Sequence, residues 1–321
     1  MAGVTTGGQT GRNCTGFVQR EFLFYRKPTR LMAARTVSHG KERTLRSWRS
    51  LLSIGWTRYW AFGFCLGIGS VCAGSVHAEA VTVRVGGYLF PPYVDIAANG
   101  EATGLAPDLL AALNRSQAEF RFHFVLTSPN RRFQDFAAGR FDMMLFEDQR
   151  WGWANTVMEP TTPFLRDGDV FVSQSHRDQS YFAELTGKRI FAVRGYHYAF
   201  ANYSADPELL KQRFGVDLLD PRGPSLDRGL QAVANGQAEL MMITESYLLY
   251  YFQQRPDLRG RLLIAAEPDS VYRHGALVRR QAAFDAGRFD RLMALLRSNG
   301  ELDQLTNRYG ISPLLLTPTA P

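Results

Sequence analysis

From residue 81 onward, the chain alternates segments of strand periodicity with segments of helical periodicity. Residues 81–87 and 120–124 carry apolar side chains at every second position, as a strand with one buried face does. Residues 107–113 begin with a proline, which is typical of the first position of a helix. A helix over 129–138 and a strand over 141–146 complete a βαβαβ order. This order predicts an α/β fold with an open, mostly parallel sheet covered by helices.

A second run of the same alternation starts near residue 169. Its predicted elements are strands over 169–173 and 188–193, helices over 206–214 and 225–235, a strand over 239–243 and a helix from Glu245. A strand over 275–279 then returns and leads into an amphipathic helix. Two such runs in about 240 residues are enough for one large domain or two small lobes.

The residues before position 81 have the composition of an export leader. Residues 41–58 are basic, residues 59–76 are apolar and rich in glycine, and small side chains stand at Ala78 and Ala80. This order is typical of a secretory signal peptide cleaved after either alanine. A membrane anchor is the alternative, but the glycine and serine residues of the apolar stretch disfavour a spanning helix. We therefore expect residues 1–78 to be a leader and the mature protein to lie in the periplasm.

Two details of the leader bear on its processing. Cys72 follows Val71, whereas bacterial lipidation usually requires a small residue before the cysteine, so we interpret the leader as an ordinary soluble export signal. Met1 and Met32 both fit as the starting residue, and this choice stays open.

The leader also carries the excess positive charge. The whole chain has a formal net charge of +7, but residues 1–79 hold 11 of the 37 basic and 3 of the 30 acidic residues. The remainder has a net charge of −1, which excludes the nucleic-acid partner that a basic chain would suggest. All three cysteines lie in the leader, so the mature chain has no disulfide and no thiolate chemistry.

Four segments, in this order, resemble the amino-acid-type (family 3) periplasmic solute-binding proteins of bacterial ABC importers. They are VRVGGYLFPPYVD at 83–95, AGRFDMMLF at 138–146, LTGKRIFAVRGYHY at 185–198 with GLQAVANGQAELMMITES at 229–246, and GALVRRQAAFDAGRFDRLMALLRSNGELDQLTNRYG at 275–310. The likeness extends over roughly residues 81–312.

The resemblance implies a type II periplasmic-binding-protein fold, a Venus flytrap of two α/β lobes joined by two crossing strands. Lobe 1 would comprise residues 81–168 and 275–312, lobe 2 residues 169–274, and residues 313–321 a frayed tail. The lobes would close on a small polar solute, an amino acid or a related amine or carboxylate, and deliver it to the importer permease. It also implies a monomer without a cofactor.

Three aromatic residues follow the first predicted strand. Tyr88, Phe90 and Tyr93 surround two prolines, and in the family this loop presents an aromatic wall to the solute. The prolines would hold the rings with little entropy to lose on binding. The alternative is that one or two of the rings plug the edge of the lobe.

The loop after the strand 141–146 carries the next candidates. The resemblance places the guanidinium that grips a ligand carboxylate at Arg150, although the Ser/Thr-rich lead-in usual in the family is missing. Trp153 would add an aromatic wall, and Glu147 would bind a ligand ammonium. A surface arginine and a solvated acid are the alternatives.

The predicted second lobe supplies four further candidates. Gly195 and Tyr196 close a strand and are predicted to open a helix, whose N-terminus would favour an anionic group. The ammonium-binding acid of the family falls on Thr244 or Glu245. Glu245 could serve an amine, or it could simply be an acid in the first helical turn.

Two other functions compete with solute binding. A periplasmic dehydratase-like enzyme of the same fold would need a carboxyl group with a tuned pKa, for which Glu147 and Glu245 are candidates. The sequence shows no nucleophile elbow, Walker A loop, HExxH or cysteine nucleophile, and its histidines are scattered, so we expect neither catalysis nor a metal site. The other alternative is a ligand sensor that docks on a signalling receptor.

Overall fold

A computed structural model describes residues 79–153, 156–280 and 283–317. The predicted leader, residues 1–78, lies outside these residues. The elements up to residue 160 are strands β1 (Val81–Gly87), β2 (Asp95–Ile96), β3 (Ala102–Thr103), β4 (Phe120–Leu126), β5 (Met143–Glu147) and β6 (Met158–Pro160), with helices α1 (Leu105–Ser116) and α2 (Arg132–Ala137). Among the described residues, no helix is long and apolar enough to cross a membrane.

The elements after residue 160 continue the alternation. The strands are β7 (Leu165–Gln174), β8 (Ile190–Val193), β9 (Val216–Leu219), β10 (Leu240–Thr244), β11 (Leu262–Ile264) and β12 (Ser270–Arg279). The helices are α3 (Pro207–Phe214), α4 (Gly223–Ala234), α5 (Glu245–Gln254), α6 (Pro256–Arg259), α7 (Ala286–Ser298) and α8 (Glu301–Arg308).

Ten strands form one curled sheet whose spatial order is β4-β1-β5-β12-β7-β10-β8-β9, with β6 and β11 paired at its side. Strand β1 is parallel to β4 and β5, and β8 is parallel to β9 and β10. The long strands β7 and β12 are antiparallel to each other and to their outer neighbours β10 and β5. We call β1, β4 and β5 with their helices the first half, and β8, β9 and β10 with theirs the second half. The predicted α/β class and two-lobed periplasmic-binding-protein fold are confirmed; the boundaries drawn for the lobes stay a prediction.

Each half has its own apolar core. In the first half, helix α1 packs Leu109 and Leu113 on β1 and β4, where Val83 and Phe122 are also buried. In the second half, one core lies between β10 and helices α4 and α5, and another lies on the opposite face around Ile190. A sheet covered on both faces explains why the central strand β10 is buried along its whole length.

Local sequence signals account for several helix ends. Helix α3 begins with Asp206, whose carboxylate accepts hydrogen bonds from the N–H groups of Glu208 and Leu209, and has Pro207 in its first turn. It ends at Gly215, whose φ of 70° is left-handed and favours glycine. The prediction of 206–214 for this helix is therefore correct to one residue.

The helix predicted to open at Gly195 is wrong. Tyr198 is extended, a short 3-10 turn covers Ala199–Ala201, and the next α-helix begins only at Pro207. The carboxylate of Asp269 accepts hydrogen bonds from the N–H groups of Ala199 (2.7 Å) and Phe200 (2.8 Å). The first amides of this 3-10 turn are thus bound by an acid of the chain.

Close packing at Gly86 fixes the end of β1, from which the aromatic loop starts. A Cβ there would stand 2.7 Å from Met144 Sδ and 2.8 Å from the ring of Phe141. Gly86→Ala is therefore expected to lower the free energy of unfolding by about 1–3 kcal/mol, because the extra methyl overfills a packed core. Urea denaturation followed by circular dichroism measures the change.

Gly260→Ala is the matched control. Gly260 has an ordinary φ of −76° and no neighbour that a Cβ would meet. The same substitution there should leave stability unchanged or raise it by up to about 1 kcal/mol. Equal losses in the two variants would contradict the packing argument.

Candidate functional site

A buried chamber of about 30 Å³ lies where β7 and β12 cross. Both halves and both crossing strands contribute side chains to its wall. Its lining residues are Tyr88, Phe90, Pro129, Arg132, Trp151, Asp169, Gly195, Tyr196, His197 and Tyr272. A ligand in this chamber would contact both halves at once, which is the geometry required for closure on a solute.

An outer vestibule of about 470 Å³ adjoins the chamber and shares Arg132, Trp151, His197 and Tyr272 with it. Its other lining residues are Phe133, Arg150, Gly152, Tyr203, Ser270 and Val271. The chamber and the vestibule thus form the inner and outer parts of one cleft.

The aromatic loop after β1 divides between the chamber and the core. Tyr88 and Phe90 line the chamber, with ring centroids 6.0 Å apart. Tyr93 does not line it. The Tyr93 ring is fully buried 4.5 Å from Phe146, and its hydroxyl donates a hydrogen bond of 2.8 Å to Asp167. The rings of this loop therefore divide: Tyr88 and Phe90 stand in the chamber wall, and Tyr93 packs in the core.

Glu147 forms a fully buried ion pair behind the chamber wall. Arg132 Nε lies 3.4 Å from Glu147 Oε1, and both side chains are at most 3% exposed. The indole of Trp153 donates a hydrogen bond of 2.7 Å to Glu147 Oε2. Burial raises the pKa of Glu147, and the charge of Arg132 and this indole oppose that rise. Glu147 and Trp153 thus hold Arg132 in place, and of the three only Arg132 lines the chamber.

Arg150 lies in the vestibule rather than in the chamber. Its Nε and Nη2 donate to the two carboxylate oxygens of Asp148 at 2.9 and 2.7 Å, and Nη2 also donates to the carbonyl of Val271. Its side chain is 67% exposed. The guanidinium that the resemblance assigned to a ligand carboxylate is therefore already engaged by an acid of the chain.

Asp169 is a chamber residue that the sequence analysis missed. It lies on β7, is 6% exposed, and accepts a hydrogen bond of 2.7 Å from the hydroxyl of Ser270. Burial raises its pKa to about 8. Asp167 and Asp169, directly before the apolar run 170–172 of the same strand, were the available signal, because a buried strand carries acids only where they have a partner or a role.

Gly195 and Tyr196 lie where the second half meets the first. Gly195 has a left-handed φ of 85° and stands against Pro129, at the chamber wall. The Tyr196 hydroxyl donates a hydrogen bond of 3.2 Å to the carbonyl of Leu89 in the aromatic loop. This turn therefore helps to hold the two halves together over the chamber.

Thr244 and Glu245 lie away from the chamber. Thr244 caps helix α5, and its hydroxyl accepts a hydrogen bond from the N–H of Tyr247. Glu245 pairs with Arg166 at 3.0 Å on the outer side of β7. The structure gives both residues local structural roles and does not bring them to the other candidates. Among the described residues, no group of three or more histidines, cysteines and acids could hold a metal ion.

The raised pKa of Asp169 predicts a pH-dependent stability. The folded protein retains a proton up to about pH 8 that the unfolded chain releases near its ordinary pKa of 3.8. The free energy of unfolding should therefore fall as the pH rises from about 4 to about 8 and level off above that. Asp169→Asn should flatten this fall, and Asp220→Asn, at an exposed acid, should not. Urea denaturation across this pH range measures both, and identical slopes in wild type and Asp169→Asn would contradict the prediction.

No family model and no curated relative matches the sequence. Solved structures match it in fold. A substrate-binding protein of an ABC uptake transporter from Streptococcus pneumoniae, with bound histidine, has a TM-score of 0.55 at 13% identity and covers 74% of this chain and 95% of its own.

Two further structures show the same fold in other settings. The GluR0 ligand-binding core with L-glutamate has a TM-score of 0.53 at 19% identity and covers 72% of this chain and 99% of its own. A histidine kinase sensor domain with similarity to periplasmic binding proteins has a TM-score of 0.51 at 20% identity and covers 75% of this chain and 99% of its own. At these identities the likeness establishes the two-lobed α/β fold of this chain.

Proposed function

We propose that the chain is an extracytoplasmic binding protein that captures a small polar solute by closing its two halves on it, and delivers it to an ABC importer. The observation that carries the proposal is the chamber at the strand crossing. Its wall combines aromatic rings, a buried guanidinium and a buried carboxylate drawn from both halves. Convergent polar groups in a largely apolar cavity are the usual character of a small-molecule site.

Closure has a physical basis in the contacts between the halves. Besides the hydrogen bond from Tyr196 to Leu89, the carboxylate of Asp95 accepts a hydrogen bond of 3.1 Å from the N–H of Gly223, in the first turn of α4. These contacts exist only when the halves approach each other. A solute that touches both walls adds its own differential contacts and shifts the equilibrium further toward the closed form.

The export leader and the resemblance favour delivery of the captured solute to an importer. The structural neighbours include an ABC substrate-binding protein, which supports transport, and a kinase sensor domain, which supports signalling as the alternative. The dehydratase alternative requires a proton donor at the substrate. Glu147 is tied into the pair with Arg132, so Asp169 is the candidate acid that this alternative would need.

Thermal shift against a panel of amino acids, amines and organic acids tests binding. One solute class at a hundred times its dissociation constant should stabilise the protein by about 2.7 kcal/mol, or roughly 5–10 °C for a protein of this size. Asp169→Asn should reduce the shift strongly, while Glu245→Ala, away from the chamber, should retain it. Consumption of the solute would instead establish the enzyme, and the absence of any shift would contradict solute binding.

The contact between the halves gives a prediction independent of the chamber wall. Asp95→Ala should raise the dissociation constant of the captured solute about fivefold, because the closed form loses a helix-end hydrogen bond of about 1 kcal/mol. Isothermal titration calorimetry measures it.

Asp220→Ala is the matched control for this substitution. Asp220 precedes the same helix end, but its carboxylate bonds only to Arg222 among the described residues. Its loss should leave the dissociation constant unchanged. Equal effects of the two substitutions would show a general charge effect rather than closure.

Export predicts a processed N-terminus. Intact-mass measurement on protein recovered from the periplasm should give a chain starting at Glu79 or Val81, after cleavage behind Ala78 or Ala80. Protein that keeps residues 41–78 would contradict the secretory interpretation of the leader.

A further inference from the structure

The aromatic rings of the chamber meet one another at steep angles. Phe90 lies edge-on to Tyr196, with centroids 5.2 Å apart and an interplanar angle of 85°. Trp151 lies edge-on to Tyr272, at 4.8 Å and 69°. Phe90 and Trp151 are 6.2 Å apart at 65°. All four rings stand in the chamber wall, and the face of an aromatic ring carries a negative potential that attracts a cation.

The charges of the chamber do not cancel. Arg132 is compensated by Glu147, and its Nη1 and Nη2 donate to the carbonyls of Pro129 and Trp151. Its guanidinium is therefore committed to the protein. Asp169 has no ion-pair partner within the described part of the chain, and its side-chain partners there are the hydroxyl groups of Ser270 and Tyr272. With Asp169 ionised, the chamber carries one net negative charge.

The arginine of the vestibule and the amides that follow the Gly195 turn are already engaged by acids of the chain. Arg150 lies in the vestibule, bound to both oxygens of Asp148. The N–H groups of Ala199 and Phe200, beyond the Gly195 turn, are bound to Asp269. A carboxylate in the chamber would lose hydration beside the like charge of ionised Asp169, which is costly.

We infer that the chamber selects an organic ammonium ion without a carboxylate, whose cationic head is held among the rings of Phe90, Trp151, Tyr196 and Tyr272 and beside the carboxylate of Asp169. This inference rests on the solute-binding function proposed above and names its substrate class. A chamber of about 30 Å³ restricts the head to a small group, and any remainder of the ligand extends into the vestibule. The pKa of about 8 at Asp169 agrees with a carboxylate that lacks its counter-ion until a cation enters.

Three probes on one carbon skeleton separate the charge classes. Butylammonium is a cation, γ-aminobutyrate adds a carboxylate to the same amine, and butyrate keeps the carboxylate alone. Calorimetry at pH 8 should show binding of butylammonium, at least about tenfold weaker binding of γ-aminobutyrate, and none of butyrate. Tetramethylammonium, which has no hydrogen-bond donor, should also bind, because the ring faces and the charge of Asp169 attract a cation without a hydrogen bond.

Two variants test the two parts of the site. Asp169→Asn should weaken butylammonium binding about 30-fold or more, because a buried charge loses its partner, while Asp220→Asn should leave it unchanged. Trp151→Leu, which alters no charge, should weaken tetramethylammonium binding about tenfold. The melting temperature of each ligand-free variant shows that it is folded.

Each binding result bears on the inference, on solute binding in general, or on both. Butyrate or γ-aminobutyrate binding as tightly as butylammonium, or full affinity in folded Asp169→Asn and Trp151→Leu, would overturn the inference. Binding of an amino acid or organic acid from the wider panel, with none of the ammonium ions bound, would overturn the inference and leave solute binding intact. Failure of every compound to bind would overturn both.

Discussion

The buried carboxylate of Asp167 is the interaction on which the strand crossing depends. It is fully buried on β7 and accepts hydrogen bonds from the Tyr93 hydroxyl at 2.8 Å, the Ser246 N–H at 3.1 Å and the Gly168 N–H at 2.8 Å. A buried acid is tolerated only with such compensation. The three donors come from the aromatic loop, the start of α5 and β7 itself, so one side chain ties the first half, the second half and the connection between them.

Asp169, on the same strand, differs from Asp167 in the hydrogen bonds that its carboxylate receives. Both acids are buried and lie two residues apart, yet Asp167 accepts from one hydroxyl and two backbone N–H groups, whereas the partners of Asp169 are two hydroxyl groups at the chamber. The first is satisfied by the protein. The second leaves acceptor capacity facing a cavity, where a ligand could satisfy it. A carboxylate thus connects parts of the fold at Asp167, whereas at Asp169 the same group is a candidate for binding a ligand.

Elements whose sequence signal is local were predictable. Helix α3 carries its cap, its first-turn proline and its terminal glycine in one segment, and β4 shows its buried face by alternation alone. The turn at Gly195 was not, because its conformation is set by Asp269, about 70 residues later in the chain. Strands β7 and β12 were predicted too short, since each continues as a crossing strand into polar residues, such as Asp169 and Ser270, that bond to each other across the two strands.

The sequence by itself determined the α/β class, the order of most elements and the composition of the aromatic loop, because periodicity, caps and prolines act within a few residues. Only the tertiary structure decided which candidates meet. It brings Tyr88, Phe90, Gly195 and Tyr196 to the chamber, adds Arg132 and Asp169, and leaves Arg150, Thr244 and Glu245 outside. The physical reason is that a charged or capping side chain could pair with any of several suitable residues far along the chain. Spacing along the sequence does not show which of them the folded chain brings into contact with it.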